Sequence, residues 1–585
     1  MILIEREANQ ELVETFKKAN THPLLAKLFV SRGMMNVADI SLELKNLMPP
    51  DQLKGCQDAA KFLVDAIVAK SPILIVADYD CDGATACAVG VLGLNTLGQQ
   101  FNTQVDFLVP NRFTMGYGLT PEVVELAASR SPRPQILITV DNGIASINGV
   151  NAANELGMDV VVTDHHLPAD DLPAATHIVN PNQPGCAFPS KALAGVGVMF
   201  YLLLAIRSEM RARGFFSLEN QPKLEPLLDL VALGTVADVA SLDRNNRILV
   251  NAGLKKMRQG NASPGIKALF EASGRDINKA NAFDLGFGVG PRLNAAGRLA
   301  DMTLGIRCLL SAQYPQAQQL AQELDRMNRE RRHIETGMQE TALDNLAEIN
   351  ISNLHGLTLV DPTWHQGVIG ILASRLKDKY HLPVFVFAHA EELDHQGQVI
   401  LKGSGRSISG FHLRDALDLI SKKYPDLILK FGGHSMAAGL SISSSEFEQF
   451  KSAFEEVASS WLDEDALSRR LIHDGELEAT QITPETARIL SDEIWGQGFP
   501  EPIFTGNFKI IKQTVLKDKH LKLELVPLNS ASPASQTLLG IWFNHADPLP
   551  QEICLAYRLL LDEFLAYPRA QLNIQSAYPL HSNDS

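Results

Sequence analysis

No Cys-x-x-Cys pair occurs in this chain, and its six cysteines, at positions 56, 81, 87, 186, 308 and 554, are scattered. Such spacing supplies neither a disulfide framework nor a zinc knuckle, and a reduced, cytoplasmic setting is expected. Long apolar runs are missing too. The longest, residues 193–206, carries two glycines and falls short of the about 20 residues of a bilayer span, so it is expected as a buried helix. Residues 1–7 lack a basic stretch followed by an apolar core, and secretion is not indicated. Basic charge is in deficit: 52 lysines and arginines face 67 acidic residues, for a net charge of −15. That balance argues against coating nucleic acid through overall charge, yet permits a local basic channel. Carboxylates gathered around divalent metal would produce the same excess.

What is present describes an ordinary globular protein, with 45% hydrophobic and 20% charged residues. A chain of 585 residues exceeds one core, and roughly two to four domains are expected. The β-branched runs at 73–77, 105–109, 136–140 and 160–163 alternate with helix-like stretches. Continuous apolar strands separated by helices predict a parallel sheet covered on both faces. Between 311 and 347, Leu320, Leu324, Met327, Ile334 and Met338 keep helical spacing among Arg326, Arg329, Arg331 and Arg332. This predicts a long helix joining two domains. A second α/β segment holds the runs at 357–360 and 383–387. After Ser459, alternating strands at 508–511, 520–525 and 541–543 without intervening helices predict a small antiparallel barrel. The expected organisation is an α/β multidomain chain. It comprises an N-terminal segment at 1–50 packed on a parallel-sheet domain at 51–310, a connecting helix at 311–347, a second α/β domain at 348–458 and a β-barrel domain at 459–585. The last residues, 581–585, are expected to fray.

Acidic and imidazole side chains cluster at the ends of the predicted strands. The first runs into Asp78-Tyr79-Asp80-Cys81-Asp82-Gly83, the third into Asp141-Asn142-Gly143 and the next into Asp164-His165-His166. A later apolar stretch, 230–237, ends in Asp238 and is read as a fourth such strand end. Ligands of an open parallel sheet gather beyond the carboxyl ends of its strands, so these distant residues can share one crevice. Carboxylates with one or two imidazoles suit Mg²⁺ or Mn²⁺, whereas zinc would bring thiolates or several histidines. Without cations such carboxylates would raise one another's pKa; with them, Asp141 could bridge two ions about 3.5–4 Å apart. A single Asp-x-Asp at a strand end is more often a helix cap, but four acidic or histidine ends in one sheet are not expected by accident. Cys81 has no identifiable base partner and is read as packing.

These motifs resemble the DHH phosphoesterase superfamily and, within it, the RecJ branch of single-strand-specific exonucleases. The resemblance rests on Asp164-His165-His166, Asp80-x-Asp82-Gly83, Asp141-Asn142-Gly143 and Gly234-Thr-Val-Ala-Asp238. It continues through Val109-Pro-Asn-Arg112 with Gly116-Tyr-Gly118, and through Gly290-Pro-Arg292-Leu-Asn-Ala-Ala-Gly-Arg298. Beyond these come Trp364-His-Gln-Gly-Val-Ile-Gly370, Lys402-Gly-Ser404-Gly-Arg406-Ser and Gly432-Gly-His434. The pyrophosphatase and short-oligonucleotide branches carry histidine four positions before the first aspartate; Val76 stands there in this chain and favours the RecJ branch.

The resemblance implies a DHH domain, a DHHA1-like substrate-binding domain and an oligonucleotide-binding (OB) barrel. It implies metal ligation by Asp80, Asp82, Asp141, His165 and Asp238, with His166 beside the reacting phosphate. Asp164 would orient an imidazole, and Asp78 would act at one remove. Arg406 with Ser404, and Arg112, would take the 5′-terminal phosphate; Arg292 and Arg298 would contact backbone phosphates, with His434 near the strand. In the barrel region five lysines (509, 512, 517, 519, 522) and Trp495, Phe499, Phe504 and Phe508 suit a single strand, although such aromatics more often fill a barrel's core. The implied activity is metal-dependent 5′→3′ hydrolysis of single-stranded DNA to mononucleotides, with two Mg²⁺ or Mn²⁺ ions, in mismatch repair, base-excision repair and recombination. A helicase and the single-strand-binding protein are the implied partners, and no membrane is involved. The competing readings are a phosphodiesterase for short oligonucleotides or cyclic dinucleotides, and a non-catalytic DNA-binding scaffold.

Overall fold

The computed structural model of the chain describes residues 2–112, 115–347, 349–528, 537–563 and 567–580, so the fraying expected at 581–585 lies outside the described residues. Two compact units emerge: one combines Glu5–Asp325 with Ile472–Ser585, the other Met1–Ile4 with Arg326–Leu471. Among the described residues no helix is long and apolar enough to cross a membrane.

The first unit is organised around five parallel strands, β1 (Ile73–Ala77), β2 (Val105–Leu108), β3 (Ile136–Val140), β4 (Asp159–Thr163) and β5 (His177–Val179). Every residue of β1 and β3 is buried, as expected of strands covered on both faces. Their spatial order is β2-β1-β3-β4-β5. The chain therefore leaves β1 toward one edge and returns on its other side as β3, which opens a crevice at the carboxyl ends of these two central strands. Helix α1 (Pro23–Ser31) belongs to the N-terminal segment, and α2 (Cys81–Leu97) follows β1. The small residues of α2, from Gly83 to Gly93, let it pack closely on α3 (Gly195–Ala212) and α4 (Leu228–Ala237). The apolar run at 193–206 is thus mostly helix α3, as its length suggested.

One reading is corrected here. The stretch before Asp238 is not a strand but helix α4, and Asp238 is its C-cap. A run that is apolar all round is buried on every side, and its pattern cannot separate a buried strand from a buried helix. Past α4, a π-helical segment (Asp284–Val289) leads directly into α5 (Gly290–Leu299), and α6 (Tyr314–Leu346) carries residues of both units.

The second unit has a mixed sheet of β6 (Leu357–Val360), β7 (Val384–Leu393), β8 (Val399–Arg406), β9 (Lys430–Gly433) and β10 (Ala437–Ser443) in the order β9-β10-β8-β7-β6. Only β6 and β7 run parallel. Helix α7 (Ile369–Tyr380) follows β6. Phe385, Phe387, Phe411, Phe450 and Phe454 fill the core.

A closed barrel completes the first unit: β11 (Phe504–Leu516), β12 (His520–Pro527), β13 (Leu538–Trp542), β14 (Glu552–Asp562) and β15 (Arg569–Tyr578), in the order β11-β12-β13-β15-β14. It is antiparallel except between β13 and β15. Phe504 and Phe508 pack on Tyr557 inside it, so these two aromatics are core residues. Trp495 and Phe499 stack on each other and meet Phe29 of α1, while Arg247 lies 4.1 Å from the Phe499 ring. A bidentate pair from Arg32 to the Asp474 carboxylate, 2.8 and 2.9 Å, ties the N-terminal segment to the stretch of chain that leads toward the barrel.

Candidate active site

The crevice beyond β1 and β3 collects most of the acidic residues that the sequence singled out. Asp80 caps α2, one oxygen accepting the Gly83 amide at 3.0 Å. The cap expected of an Asp-x-Asp motif and a place among possible metal ligands therefore coexist. Two residues on, Asp82 is fully buried and accepts the amides of Gly195 at 2.7 Å and Val196 at 2.9 Å. These are the first amides of α3, so a helix N-terminus is aimed at the carboxylate. Burial first, and then the Asp80 charge, nevertheless push Asp82 up to about 7. Gly195 is confined by a close approach: a Cβ there would lie 2.7 Å from the Asp141 Cβ and Oδ1.

Asp141 follows β3 with a left-handed backbone, φ 61°, which turns its carboxylate back over the sheet end. Asn142 secures that turn by donating to the carbonyls of Val140 (2.8 Å) and Val76 (3.2 Å), joining β3 to β1. Burial, followed by the charges of Asp82, Asp80, Asp78 and Asp238, drives the Asp141 pKa well above the usual carboxylate range. Asp78 and Asp238 are raised as well, again by burial first and neighbouring carboxylates second.

The two histidines are set apart by their surroundings. Asp164 is buried and accepts the amides of His165 (2.7 Å), His166 (3.1 Å) and Ile144 (2.9 Å), and the His166 ring nitrogen at 2.7 Å. Burial disfavours its charge, but the His166 bond and charge, the Ile144 amide and the His165 charge together outweigh that and hold Asp164 below the ordinary carboxylate range. Burial disfavours the His166 cation, but the Asp164 bond with the charges of Asp164, Asp238 and Asp78 raises it to about 9, so in the metal-free fold it carries a proton at neutral pH. Burial holds His165 down to about 4, which keeps its ring neutral and able to ligate. Asn182 and Asn180, beyond β5, donate to the carbonyls of His165 (2.6 Å) and His166 (3.0 Å).

The donor set passes a direct test for a cation. Asp141 Oδ1 and His165 Nε2 lie 3.0 Å apart, are both buried, and have no hydrogen-bond partner among the described residues. Two lone-pair atoms abandoned to each other would be unfavourable, whereas ligands at right angles on an ion with bonds of about 2.1 Å stand about 3.0 Å apart. Asp82 and Asp238 oxygens lie 3.9 Å from the same Nε2. Among the described residues three groupings bring ligand atoms within 4.8 Å: Asp82–His165–Asp238, Asp78–Asp80–Asp141 and Asp141–His165–His166. Mostly oxygen donors with neutral imidazole fit Mg²⁺ or Mn²⁺.

Around this centre the expected phosphate ligands divide. Arg112 lies 4.6 Å from the Tyr79 ring and donates to the Gly297 carbonyl at 3.2 Å. Arg298 is half-buried in the last turn of α5. Arg292, expected at backbone phosphates, is instead buried, paired with Asp325 at 2.7 Å and bonded to the Ala272 carbonyl at 3.2 Å. Helical phase explains the difference: positions 294 and 298 share a face, and 292 points away from it. Asn294 on that face accepts the Cys81 amide at 2.8 Å, a contact that the motif contained but the arginines overshadowed. Gly297 packs so tightly that a Cβ would fall 1.8 Å from the Tyr79 carbonyl. Tyr117, between the two glycines of its motif, places its hydroxyl 3.2 Å from the Asp141 carbonyl and 3.4 Å from His166 Nδ1. Cys81 is buried with its thiol pushed up by burial, in keeping with packing.

In the second unit, Arg406 at the end of β8 donates to the Ser404 hydroxyl at 3.2 Å and to the Gly405 carbonyl at 2.7 Å. Burial lowers its pKa, and among the described residues no carboxylate offsets it. A Cβ at Gly370, in the first turn of α7, would stand 2.9 Å from the Ser404 hydroxyl and 3.0 Å from the Arg406 guanidinium. Helix start, hydroxyl and guanidinium thus converge as an anion site requires. His434 follows β9 in the tight connection to β10, its amide donating to Ala437.

Three family models match the chain: the DHH family N-terminal domain over residues 72–235, the DHHA1 domain over 353–460 and the RecJ OB domain over 473–576. The chain is 47% identical over 573 residues to the single-stranded-DNA-specific exonuclease RecJ of Salmonella typhimurium (strain LT2), spanning 96% of this chain and 97% of that one. Identity to the RecJ of Escherichia coli (strain K12) is 46%, over 96% and 97% of the two chains. Among solved structures, RecJ from Thermus thermophilus in complex with Mn²⁺ matches with a TM-score of 0.79 at 28% identity, over 99% of this chain and 79% of that chain.

Proposed function

Because the chain belongs to the RecJ family of single-stranded-DNA-specific exonucleases, we propose that it hydrolyses single-stranded DNA from the 5′ end to mononucleotides with divalent metal, in DNA repair and recombination. The observation that carries this reading is the unpartnered Asp141–His165 pair at the heart of a buried carboxylate cluster. Asp80, Asp82, Asp141, His165 and Asp238 would hold Mg²⁺ or Mn²⁺, and the membership of Asp141 in two of the ligand groupings supports two ions sharing it. Asp78 lies in one of those groupings and joins the ligand candidates. Bound there, the cations supply charge neutralisation at the phosphate and lower the pKa of the attacking water.

The chain's own residues do the rest. His166, protonated through Asp164, directs a charged donor at a phosphate oxygen. Arg112, fixed over Tyr79, offers a guanidinium to the strand near the metal, with Arg298 as a second contact. Arg406 and Ser404 bind the 5′-terminal phosphate, and His434 lies along the strand. Breaking the bond from phosphorus to the departing 3′ oxygen leaves the phosphate on the shortened strand, which recreates the end that Arg406 recognises. Parts of the barrel bind the strand behind it. A helicase and the single-strand-binding protein are the partners that such an activity calls for, and the compartment is the cytoplasm.

Digestion of a long, internally labelled strand with one end blocked tests the reading. Mononucleotide release in Mn²⁺ that stops only with the 5′ block is expected; cleavage confined to dinucleotides would transfer the chain to the small-substrate phosphodiesterases. Arg406→Ala is expected to raise KM for 5′-phosphorylated strands about 10- to 100-fold, as loss of a charge-assisted bidentate contact would. Strands with a 5′ hydroxyl should be affected far less. Equal losses on both ends would reject the role given to Arg406.

A further inference from the structure

Phe283 and Phe287 are 51% and 67% exposed, yet their rings stack on each other with centroids 4.8 Å and planes 28° apart. Two large apolar rings presented together to solvent gain little from folding, so core packing does not account for them. Their place in the fold is informative. Phe287 lies in the π-helical segment Asp284–Val289 and Phe283 immediately precedes it; irregular helical turns of this kind recur at functional sites. The segment runs without interruption into α5, whose Asn294 holds the Cys81 amide at the metal centre. A Cβ at Gly290 would meet the Ala237 Cβ at 3.0 Å, and one at Gly286 would lie 3.4 Å from Val236, so this segment packs on the last turn before Asp238. At its other end Lys279 pairs with Glu563, just past β14 of the barrel. In chain order Phe283 lies between the barrel contact at Lys279 and the contact of Gly286 with the helix before Asp238, and Phe287 lies between the two contacts with that helix, at Gly286 and Gly290. Arg275 stands 5.7 Å from the Phe283 ring and pairs with the Asp284 carboxylate at 3.4 Å, which anchors the start of the segment.

We propose that Phe287, backed by Phe283, is a stacking platform for a base of the single strand running from the metal centre toward the barrel. The inference rests on the exonuclease reading above and names a specificity-determining pair for it. Aromatic rings accept any base by its face, so the platform is indifferent to sequence, as degradation of arbitrary strands requires. It also discriminates by strandedness, because the bases of a duplex expose their faces only at the terminal pair.

The test compares the wild-type protein, Phe287→Ala, Phe287→Trp and Phe287→Leu with Mn²⁺ on strands of decreasing length, using Leu218→Ala, a 72% exposed residue elsewhere in the same unit, as the control. Phe287→Ala should raise KM for a long strand about 5- to 150-fold, the range expected for one lost base stack, with kcat changing less and the loss shrinking as the strand approaches two nucleotides. Trp should restore binding where Leu does not. A walk of single abasic sites along the strand should reproduce the loss at one position in the wild-type protein and add nothing there in Phe287→Ala. An unchanged KM in Phe287→Ala, equal performance of Leu and Phe, or equal losses at every strand length would overturn the proposal. Should the wild-type protein leave long strands uncut in Mn²⁺, the exonuclease reading itself would fall, which separates the two failures.

Discussion

Asp141→Asn is expected to reduce hydrolysis of single-stranded DNA to background at every Mn²⁺ concentration, a loss on the order of 10⁴-fold or more, as for removal of a member of a catalytic unit. The substitution keeps the side-chain size and tolerates the left-handed backbone at this position, φ 61°, so it changes charge and ligation with little added strain. Because burial and four neighbouring carboxylates oppose ionisation of Asp141, its loss should relieve the metal-free protein. Asp141→Asn is therefore expected to melt in EDTA no lower than the wild-type chain, and to lose the stabilisation that Mn²⁺ gives the wild type. A variant that melted well below wild type in EDTA would show Asp141 to be a structural support, and residual turnover that rose with added Mn²⁺ would show that it is not a shared ligand.

Removal of metal should abolish activity, and Mn²⁺ should restore it, with a pH dependence set by the carboxylates. Asp82 stands at about 7 in the metal-free fold, so below that pH it holds a proton that an incoming cation must displace. Each displaced proton weakens apparent affinity about tenfold per pH unit below 7. The histidine ligand adds nothing to that slope until the pH approaches 4, where its ring begins to charge. Titration calorimetry in two buffers of different ionisation enthalpy reads the released protons directly. Proton release near pH 6 that declines toward pH 8.5 is the expected pattern; affinity independent of pH would refute the coupling.

The strands that position the site were legible because β1 and β3 are buried on both faces and therefore show unbroken β-branched runs. Their acidic ends could be assigned to one crevice by the rule for open parallel sheets. The helix before Asp238 was misread as a strand because burial on all sides erases the helical period. Other elements escaped for reasons of distance. Nothing near Gly195 signals that its amide will support an aspartate 113 residues earlier, and no local pattern reveals that Arg32 will neutralise Asp474. The placing of Arg292 beside Asp325, away from Asn294 and Arg298, was not legible, since a motif presents its residues in a line while a helix sends 292 and 294 to different sides. Aromatics near the barrel were readable only as a composition, and the fold made Phe504 and Phe508 core residues.

The crowding around Gly195 and Gly297 also has a genetic side. One position would drive a methyl into Asp141 and the other into the Tyr79 carbonyl, yet neither belongs to the acidic signature by which a reader would locate the centre. Any base change in the first two positions of a glycine codon introduces a side chain or a stop. Spontaneous loss-of-function alleles should consequently gather at these apolar, chemically silent codons as readily as at the aspartates. Inheritance of the activity thus depends as much on what those codons withhold as on what the acidic ones provide.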